Sequence, residues 1–165
     1  MIKTEIKMDT RKWDKLKTQF KELNSVYTTC GLHEDEKYDV GLYVAFIGAI
    51  QDFGLPNKKP PIPSRPWMRS WFDKNLKNIK EKTKKILENI LDGYITVKEG
   101  IEQLGFYGST ELKQSIVKWS MPPNAPYTIL IKGFNDPLIH TGHMRDVVNH
   151  KEHFNKPFPK GDENF

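Results

Sequence analysis

The fold is most tightly constrained by the stretch Ala49-Ile-Gln-Asp-Phe-Gly-Leu-Pro-Asn-Lys-Lys-Pro-Pro-Ile-Pro-Ser-Arg-Pro-Trp-Met-Arg-Ser-Trp-Phe72. Each of its prolines fixes φ and pushes the preceding residue toward extended geometry, so residues 55–65 cannot be helical. A flexible linker would be polar, whereas this stretch ends in a cluster of aromatic side chains. We therefore predict an element that ends at Phe53-Gly54, an ordered extended loop, and a helix that begins just after Pro66.

Parts of this stretch, Ala49-Ile-Gln-Asp-Phe-Gly54 and Ile62-Pro-Ser-Arg-Pro-Trp-Met-Arg69, resemble a signature of the phage virion morphogenesis and tail completion family, found in Mu-type phages and siphophages. A second block, Asn135-Asp-Pro-Leu-Ile-His-Thr-Gly-His-Met-Arg145, resembles the second signature of that family. The blocks occur in the family's order with a helical region between them. The resemblance therefore covers residues 9–148.

The chain departs from these signatures at His140, where the family usually has an acid, and carries Asp52 for Glu and Trp67 for Phe. The resemblance implies an α+β fold, with a small, mostly antiparallel sheet flanked by one long helix and several short ones. We expect one tail completion or neck domain over residues 1–148. Residues 149–165 contain prolines and polar side chains and are expected to form a mobile C-terminal tail.

The resemblance also implies a role for the chain as a structural protein. It predicts a component of the phage neck that completes the tail or joins head to tail, without catalytic activity or a cofactor. Its partners would be further copies in a ring, with a hexamer expected, the tail terminator or tail tube protein, a head completion or adaptor protein, and DNA passing through the lumen. The protein would lie at the tail end of the virion, and in the host cytoplasm during assembly.

The predicted contact residues lie in the two signatures. Arginines in these positions suit bidentate ion pairs between subunits, with surface or intramolecular pairing as the alternative. Aromatic side chains at a helix start more often belong to the core than to an interface. The predicted subunit or partner contacts are Arg65, Trp67, Met68, Arg69, Trp71, Phe72, Leu138, Ile139, Met144 and Arg145.

Composition restricts the class of protein. A chain of 165 residues is long enough to bury a core without disulfides or metal, and its single cysteine, Cys30, excludes a disulfide framework. We find no apolar segment as long as a signal-peptide core or a membrane span. The net charge of +5 permits contact with nucleic acid but does not require it.

The N-terminal third predicts two strands and two helices. Residues 2–8 alternate in the manner of a half-buried strand, and Asp9 or Thr10 can then cap a helix. That helix carries a stripe of Trp13, Leu16, Phe20 and Leu23, which predicts either core packing or docking on a neighbouring subunit. Residues 24–37 appear irregular, with a turn at residues 28–31. Residues 38–50 predict a strand that gives way to a short buried helix over residues 44–53.

The strongest helical pattern covers residues 71–91 and ends at Gly93. Its outer face carries cations that can approach DNA phosphates, although such a face is usually only solvated. These candidate DNA-facing residues are Lys74, Lys77, Lys84 and Lys85. The alternative function is therefore a small basic module that binds nucleic acid through phosphates without sequence specificity.

The C-terminal third predicts short elements. Thr96-Val-Lys-Glu99 forms a capping box for a helix that stops at Gly105, and a separate helix begins at Ser109 or Thr110. Residues 128–133 are β-branched and predict a strand or an extended arm. Thr141 can cap a brief helix over residues 142–148.

The sequence gives little support for a metal site or a catalytic site. The pairs His140/His143 and His150/His153 have helical spacing, but zinc needs a third ligand, and Thr141-Gly142 interrupts any helix between the first pair. The acidic residues 34–36 are interpreted as a solvated loop. A zinc-dependent hydrolase is accordingly the least favoured of three hypotheses, and no metal is predicted.

Overall fold

The computed structural model describes residues 10–156 and confirms an α+β fold with one long helix. The predicted strand at residues 2–8 and the tail residues 157–165 lie outside this range. The elements in chain order are α1 (Arg11–Leu23), β1 (Val26–Gly31), α2 (Val44–Phe53), α3 (Trp67–Leu91), α4 (Val97–Lys118), α5 (Pro126–Lys132), α6 (His143–Asp146) and β2 (Asn149–Phe154). No helix in the described part of the chain is long and apolar enough to cross a membrane.

The sheet consists of β1 and β2, paired antiparallel with Val26 opposite Phe154 and Cys30 opposite His150. This pairing corrects two predictions, since residues 28–31 form a strand rather than a turn, and residues 149–154 belong to the domain rather than to a mobile tail. Both strands are rich in polar residues, so neither shows apolar alternation. They are stabilised instead by their mutual hydrogen bonds and by α4, which packs against both.

Helix α4 is continuous, although the sequence predicted a break at Gly105. Two of its three internal glycines, Gly105 and Gly108, lie where the helix backbone approaches the sheet. A Cβ on Gly105 would stand 2.5 Å from His150 Cδ2, and one on Gly108 would stand 2.7 Å from Cys30 Sγ. The glycines are therefore explained by close helix–sheet packing and not by a helix end.

The core has two parts. Ile86 and Ile90 of α3 pack on Val97 of α4 and on partly buried neighbours from α1 and β1. The larger part lies where the first turn of α3 meets α4 and the C-terminal segment. It contains Val44, Trp67, Leu112, Ile116, Leu138, Met144 and Val148.

Several predicted helix ends are confirmed. Helix α3 begins at Trp67, directly after the proline loop, and Gly93 with φ of 81° follows its end. The capping box of α4 is complete, because Thr96 Oγ1 accepts the Glu99 N–H and the Glu99 carboxylate accepts the Thr96 N–H. Helix α2 has the predicted bounds, whereas residues 38–43 form only an isolated bridge between Lys37 and Tyr43 rather than a strand.

Helices α1 and α5 differ from the predictions in packing and in secondary structure, respectively. Helix α1 buries none of its residues fully, and its stripe is divided: Leu23 packs against the part of the core around Ile90, whereas Trp13 and Phe20 are exposed. Residues 126–132 are helical rather than extended, because Pro126 stands in the first turn and Gly133 closes the helix in the left-handed conformation. Helix α5 likewise buries none of its residues.

Candidate functional site

The two signature blocks, which lie far apart in sequence, meet in one cluster. Trp67 from the first block is 1% exposed and packs in the same cluster as Leu138 and Met144 from the second. Asn135 of the second block accepts the backbone N–H of Asn124 at 3.0 Å through its side-chain oxygen. The blocks thus form a single structural unit.

The first block is organised around the buried carboxylate of Asp52, at the C-terminal end of α2. Its Oδ1 accepts the Met68 N–H at 3.2 Å, which satisfies a free donor in the first turn of α3. Its Oδ2 accepts Arg69 Nε at 2.6 Å. The Asp52 carbonyl also accepts Arg69 Nη2 and Ser64 Oγ, at 2.8 and 2.7 Å. One acid therefore joins α2, the end of the proline loop and α3.

Arg65 is the second residue whose hydrogen bonds hold this block together, and it is 6% exposed. Its guanidinium donates to Gln51 Oε1 at 2.7 Å and to the carbonyls of Pro122 and Pro123 at 3.2 Å each. A longer contact of 3.4 Å reaches Asn124 Oδ1. These acceptors are neutral, and burial lowers the pKa of Arg65 from its usual value. Arg65 thereby fixes the segment before α5 to the proline loop.

Four of the ten predicted contact residues need correction, because their side chains are buried inside the protomer. Arg65, Trp67, Leu138 and Met144 are buried and cannot reach a partner in this conformation. Arg69 pairs with Asp52, and Arg145 pairs with Asp146 at 2.7 Å, so both make intramolecular ion pairs. Sequence gives residue type but not the direction of a side chain, which explains the error. The rest of the set, Met68, Trp71, Phe72 and Ile139, is partly or largely exposed.

Three of these residues line a cavity of about 600 Å³ between β1, the first half of α3, and α4. Cys30 lies at its wall, and burial raises the pKa of the Cys30 thiol, which disfavours a reactive thiolate. We call this space the α3–α4 cavity. Its main apolar lining comprises Met68, Trp71, Phe72, Ile79, Leu104 and Leu112.

The sequence analysis missed a second apolar surface, which lies on α5. Tyr127, Leu130 and Ile131 are all exposed and follow the i, i+3, i+4 spacing of one helix face. Phe134, which follows the left-handed Gly133 beyond the end of the helix, is also exposed. The spacing was present in the sequence, but it was interpreted as extended structure.

The candidate DNA-facing lysines Lys74, Lys77, Lys84 and Lys85 are all exposed on α3. Lys77 lies 4.0 Å from Glu81 and Lys84 lies 3.7 Å from Glu88, both at i, i+4 spacing. Such exposed pairs are weak and leave the lysines accessible to other anions. The face is therefore basic but partly neutralised.

The histidine pairs do not converge. His150 points toward α4, where its Nδ1 lies 3.2 Å from Ser109 Oγ and its Nε2 lies 3.3 Å from Glu152. His153 lies on the opposite face of the sheet, stacked on Tyr27 and 3.1 Å from Thr29 Oγ1. Within residues 10–156 no group of three or more histidine, cysteine or acidic side chains is placed to hold a metal ion.

Comparison of the chain with protein-family models, curated proteins and solved structures finds no match.

Proposed function

We propose that this chain is a structural virion protein of the phage neck, a tail completion or head–tail joining component that assembles as a ring around the DNA conduit. The observation that carries the proposal is the exposed apolar surface of α1 and α5, two helices that bury none of their own residues. Large apolar side chains in such number on a monomer's surface mark interaction sites. The resemblance of both signature blocks to a virion assembly family supplies the identity of the assembly.

A ring of identical copies requires two different complementary surfaces on each copy, because its contacts are heterologous. The proline loop, tied by Asp52 and Arg65, holds its backbone in one conformation, so little entropy is lost when a neighbour binds. Exposed lysines of α3 suit a lumen through which DNA passes, since phosphate contacts carry no sequence information. A tail terminator or tail tube protein and a head completion or adaptor protein would bind the two ends of this ring.

The test is the mass of the purified protein by light scattering, alone and mixed with tails that lack it. A hexamer, or a monomer that becomes a ring on the tail end, is the expected result. A protein that stays monomeric alone and does not bind tails would refute the proposal.

The alternative, a nucleic-acid-binding module, is favoured by one observation. Helix α3 carries seven arginine or lysine residues against three carboxylates. Binding to DNA by the isolated monomer should then weaken steeply with salt, because phosphate contacts release counterions. Replacement of Lys74, Lys77, Lys84 and Lys85 by glutamine should abolish that binding. Unchanged binding by this variant would exclude the α3 face as the binding surface.

A further inference from the structure

Helix α5 is short and only loosely attached to the domain. It has seven residues, and isolated helices shorter than about 12–15 residues are marginal in water. Tyr127, Leu130 and Ile131 are 73%, 79% and 63% exposed, and within residues 10–156 no α5 side chain joins either part of the core. Because helices in proteins owe most of their stability to packing, α5 lacks the usual source of stability.

The side of α5 that faces the domain is only half-buried. Thr128, Ile129 and Lys132 lie on this side, opposite the exposed apolar residues. Lys132 Nζ donates to the Asp136 carbonyl at 2.6 Å, a bond that stays within the same segment of the chain. Lys132 also lines a pocket beside Leu138. The attachment of α5 to the domain therefore depends mainly on one flexible side chain.

The residues of α5 also fit an extended chain. Ile129 and Ile131 are β-branched, which lowers helix propensity and raises strand propensity. The N-cap residue is Ala125, whose methyl group cannot accept the free N–H groups of the first turn. Pro126 and the left-handed Gly133 favour the two helix ends. The sequence thus favours the helix through its ends and not through its interior.

The base of the segment, in contrast, is fixed. Arg65 donates to two proline carbonyls just before α5. The Asn124 N–H donates to Asn135 Oδ1 at 3.0 Å, and Asn124 is 7% exposed. The two ends of the segment are therefore held together, so residues 125–134 can change conformation without a change in the rest of the domain.

We propose that residues 125–134 form a switch arm, which leaves the helical form and becomes extended while its base stays closed and the core stays folded. Local unfolding of this kind takes microseconds to seconds and requires far less free energy than global unfolding. Ten extended residues span about 33 Å, so the open arm reaches about 15 Å from its base. The helical form gathers Tyr127, Leu130 and Ile131 on one surface, whereas the extended form disperses them.

The two forms differ in how they bind a partner. A partner that covers the apolar face binds the helical form and shifts the population toward it. The free energy of ordering the arm is then subtracted from the binding free energy, which weakens association of free copies before the partner is present. This step rests on the proposed assembly, in which the apolar face of α5 is covered.

Hydrogen exchange of the free full-length chain, followed by NMR, tests the arm. The Ile129 N–H donates to the Ala125 carbonyl at 3.0 Å and the Gly133 N–H donates to the Ile129 carbonyl at 2.8 Å, so these amides report on α5. They should exchange within about ten-fold of the unstructured rate. Low concentrations of urea should not change that rate, because the opening exposes little surface. The core amides of Leu112 and Ile116 should exchange about a thousand-fold more slowly, or slower still.

The Asn124 amide marks the base and should exchange about ten-fold more slowly than the α5 amides, or slower still. If it exchanges as fast as they do, the base opens together with the arm. If the α5 amides exchange as slowly as those of the core, the arm does not open. Either result overturns the proposal.

Two substitutions outside the apolar face should move the equilibrium in opposite directions. Ala125→Asp supplies an N-cap and should slow exchange in α5 about five-fold. Gly133→Ala strains the left-handed residue that ends the helix and should speed exchange about five-fold or up to the unstructured rate. Gly41→Ala is the matched control, because Gly41 has a φ of 81° and, like Gly133, no atom within 4 Å of an added Cβ. If neither Ala125→Asp nor Gly133→Ala changes exchange in α5, the proposal is wrong.

The link to assembly is measured separately, on tails that lack the protein, by mass spectrometry of peptides that cover residues 125–134. Bound protein should exchange there about ten-fold more slowly than free protein, because coverage of the apolar face removes the open form. Binding without this added protection would overturn capture of the arm by assembly, while the neck proposal stands. If the protein neither associates nor binds tails, the neck proposal falls, and exchange in the free protein alone decides whether the arm opens.

Discussion

Replacement of Arg65 by alanine should destabilise the protein more than replacement of the exposed Arg145. The side chain is 6% exposed and donates to Gln51 Oε1 at 2.7 Å and to two proline carbonyls at 3.2 Å. Hydrogen bonds from a charged donor contribute about 1.5–3 kcal/mol each. Water can reach some of the freed acceptors, so we expect the equivalent of two such bonds to be lost. The free energy of unfolding should therefore fall by about 4 kcal/mol.

The matched control is Arg145→Ala. Arg145 pairs with the exposed Asp146 at 2.7 Å, and exposed ion pairs contribute about 0–1 kcal/mol. Arg65→Lys should lie between the two, because a single ammonium group cannot reach all the acceptors that the guanidinium reaches. Two arginine positions of similar sequence character are thus predicted to differ by about 3 kcal/mol or more on replacement by alanine.

Urea unfolding followed by tryptophan fluorescence measures these differences, since Trp67 is buried close to Arg65 along the chain. For a domain of this size, 4 kcal/mol corresponds to a decrease in Tm of about 8–16 °C. If Arg65→Ala loses less than about 1 kcal/mol and is indistinguishable from Arg145→Ala, then Arg65 is not a structural tie. The account of how α5 is held in place would then be wrong.

Three further predictions concern α4. Gly105→Ala would be stabilising in a solvated helix, but here it should lower stability by about 1–3 kcal/mol, because the added Cβ would meet His150 and Thr28. A variant that is more stable than the wild type in thermal melts would contradict this packing. Thr96→Ala should remove the capping box and lower stability by about 1 kcal/mol in urea titrations, with serine at this position restoring most of it. The hydrogen bonds from Thr96 lower the pKa of Glu99 in the folded state, so their contribution is present above the unfolded pKa and is lost as pH falls through the folded pKa. NMR titration should show Glu99 titrating below its usual 4.5, and a normal value would contradict the capping geometry.

The features predicted correctly from sequence are those that neighbouring residues determine. The prolines between residues 56 and 66 exclude a helix locally, so the start of α3 at Trp67 follows directly. The capping box likewise needs only the four residues 96–99.

The features that were missed depend on residues distant in sequence, or on residue types that are compatible with two different structures. Strands β1 and β2 are polar, and each is stabilised by the other across more than 100 residues of sequence. Gly105 was interpreted as a helix end, but it marks close contact with the sheet. In α5 the β-branched residues Ile129 and Ile131 favour a strand, while Pro126 and Gly133 favour the two ends of a helix. The segment is helical, so the end signals outweigh the strand propensity.

The sequence supplied the residues of the candidate site but not their arrangement. It did not predict that the two signature blocks, far apart in the chain, meet in one core. It assigned Arg65 and Trp67 to a partner because arginine and tryptophan are common in interfaces. Burial of these side chains depends on the three-dimensional path of the chain, which the sequence pattern does not contain.

The pairing of β1 with β2 also has a consequence in time. Gly31 pairs with Asn149, so β1 lacks its partner strand β2 until 118 further residues have been made. At ordinary rates of synthesis this interval is on the order of ten seconds, during which β1 and the glycine face of α4 remain uncovered on the ribosome. Contacts of such high sequence separation also slow folding after release, because a long loop must close first. A nascent chain halted before residue 149 should therefore recruit chaperones. We expect the pairing of β2 with β1 to be the step that commits the protein to its native state.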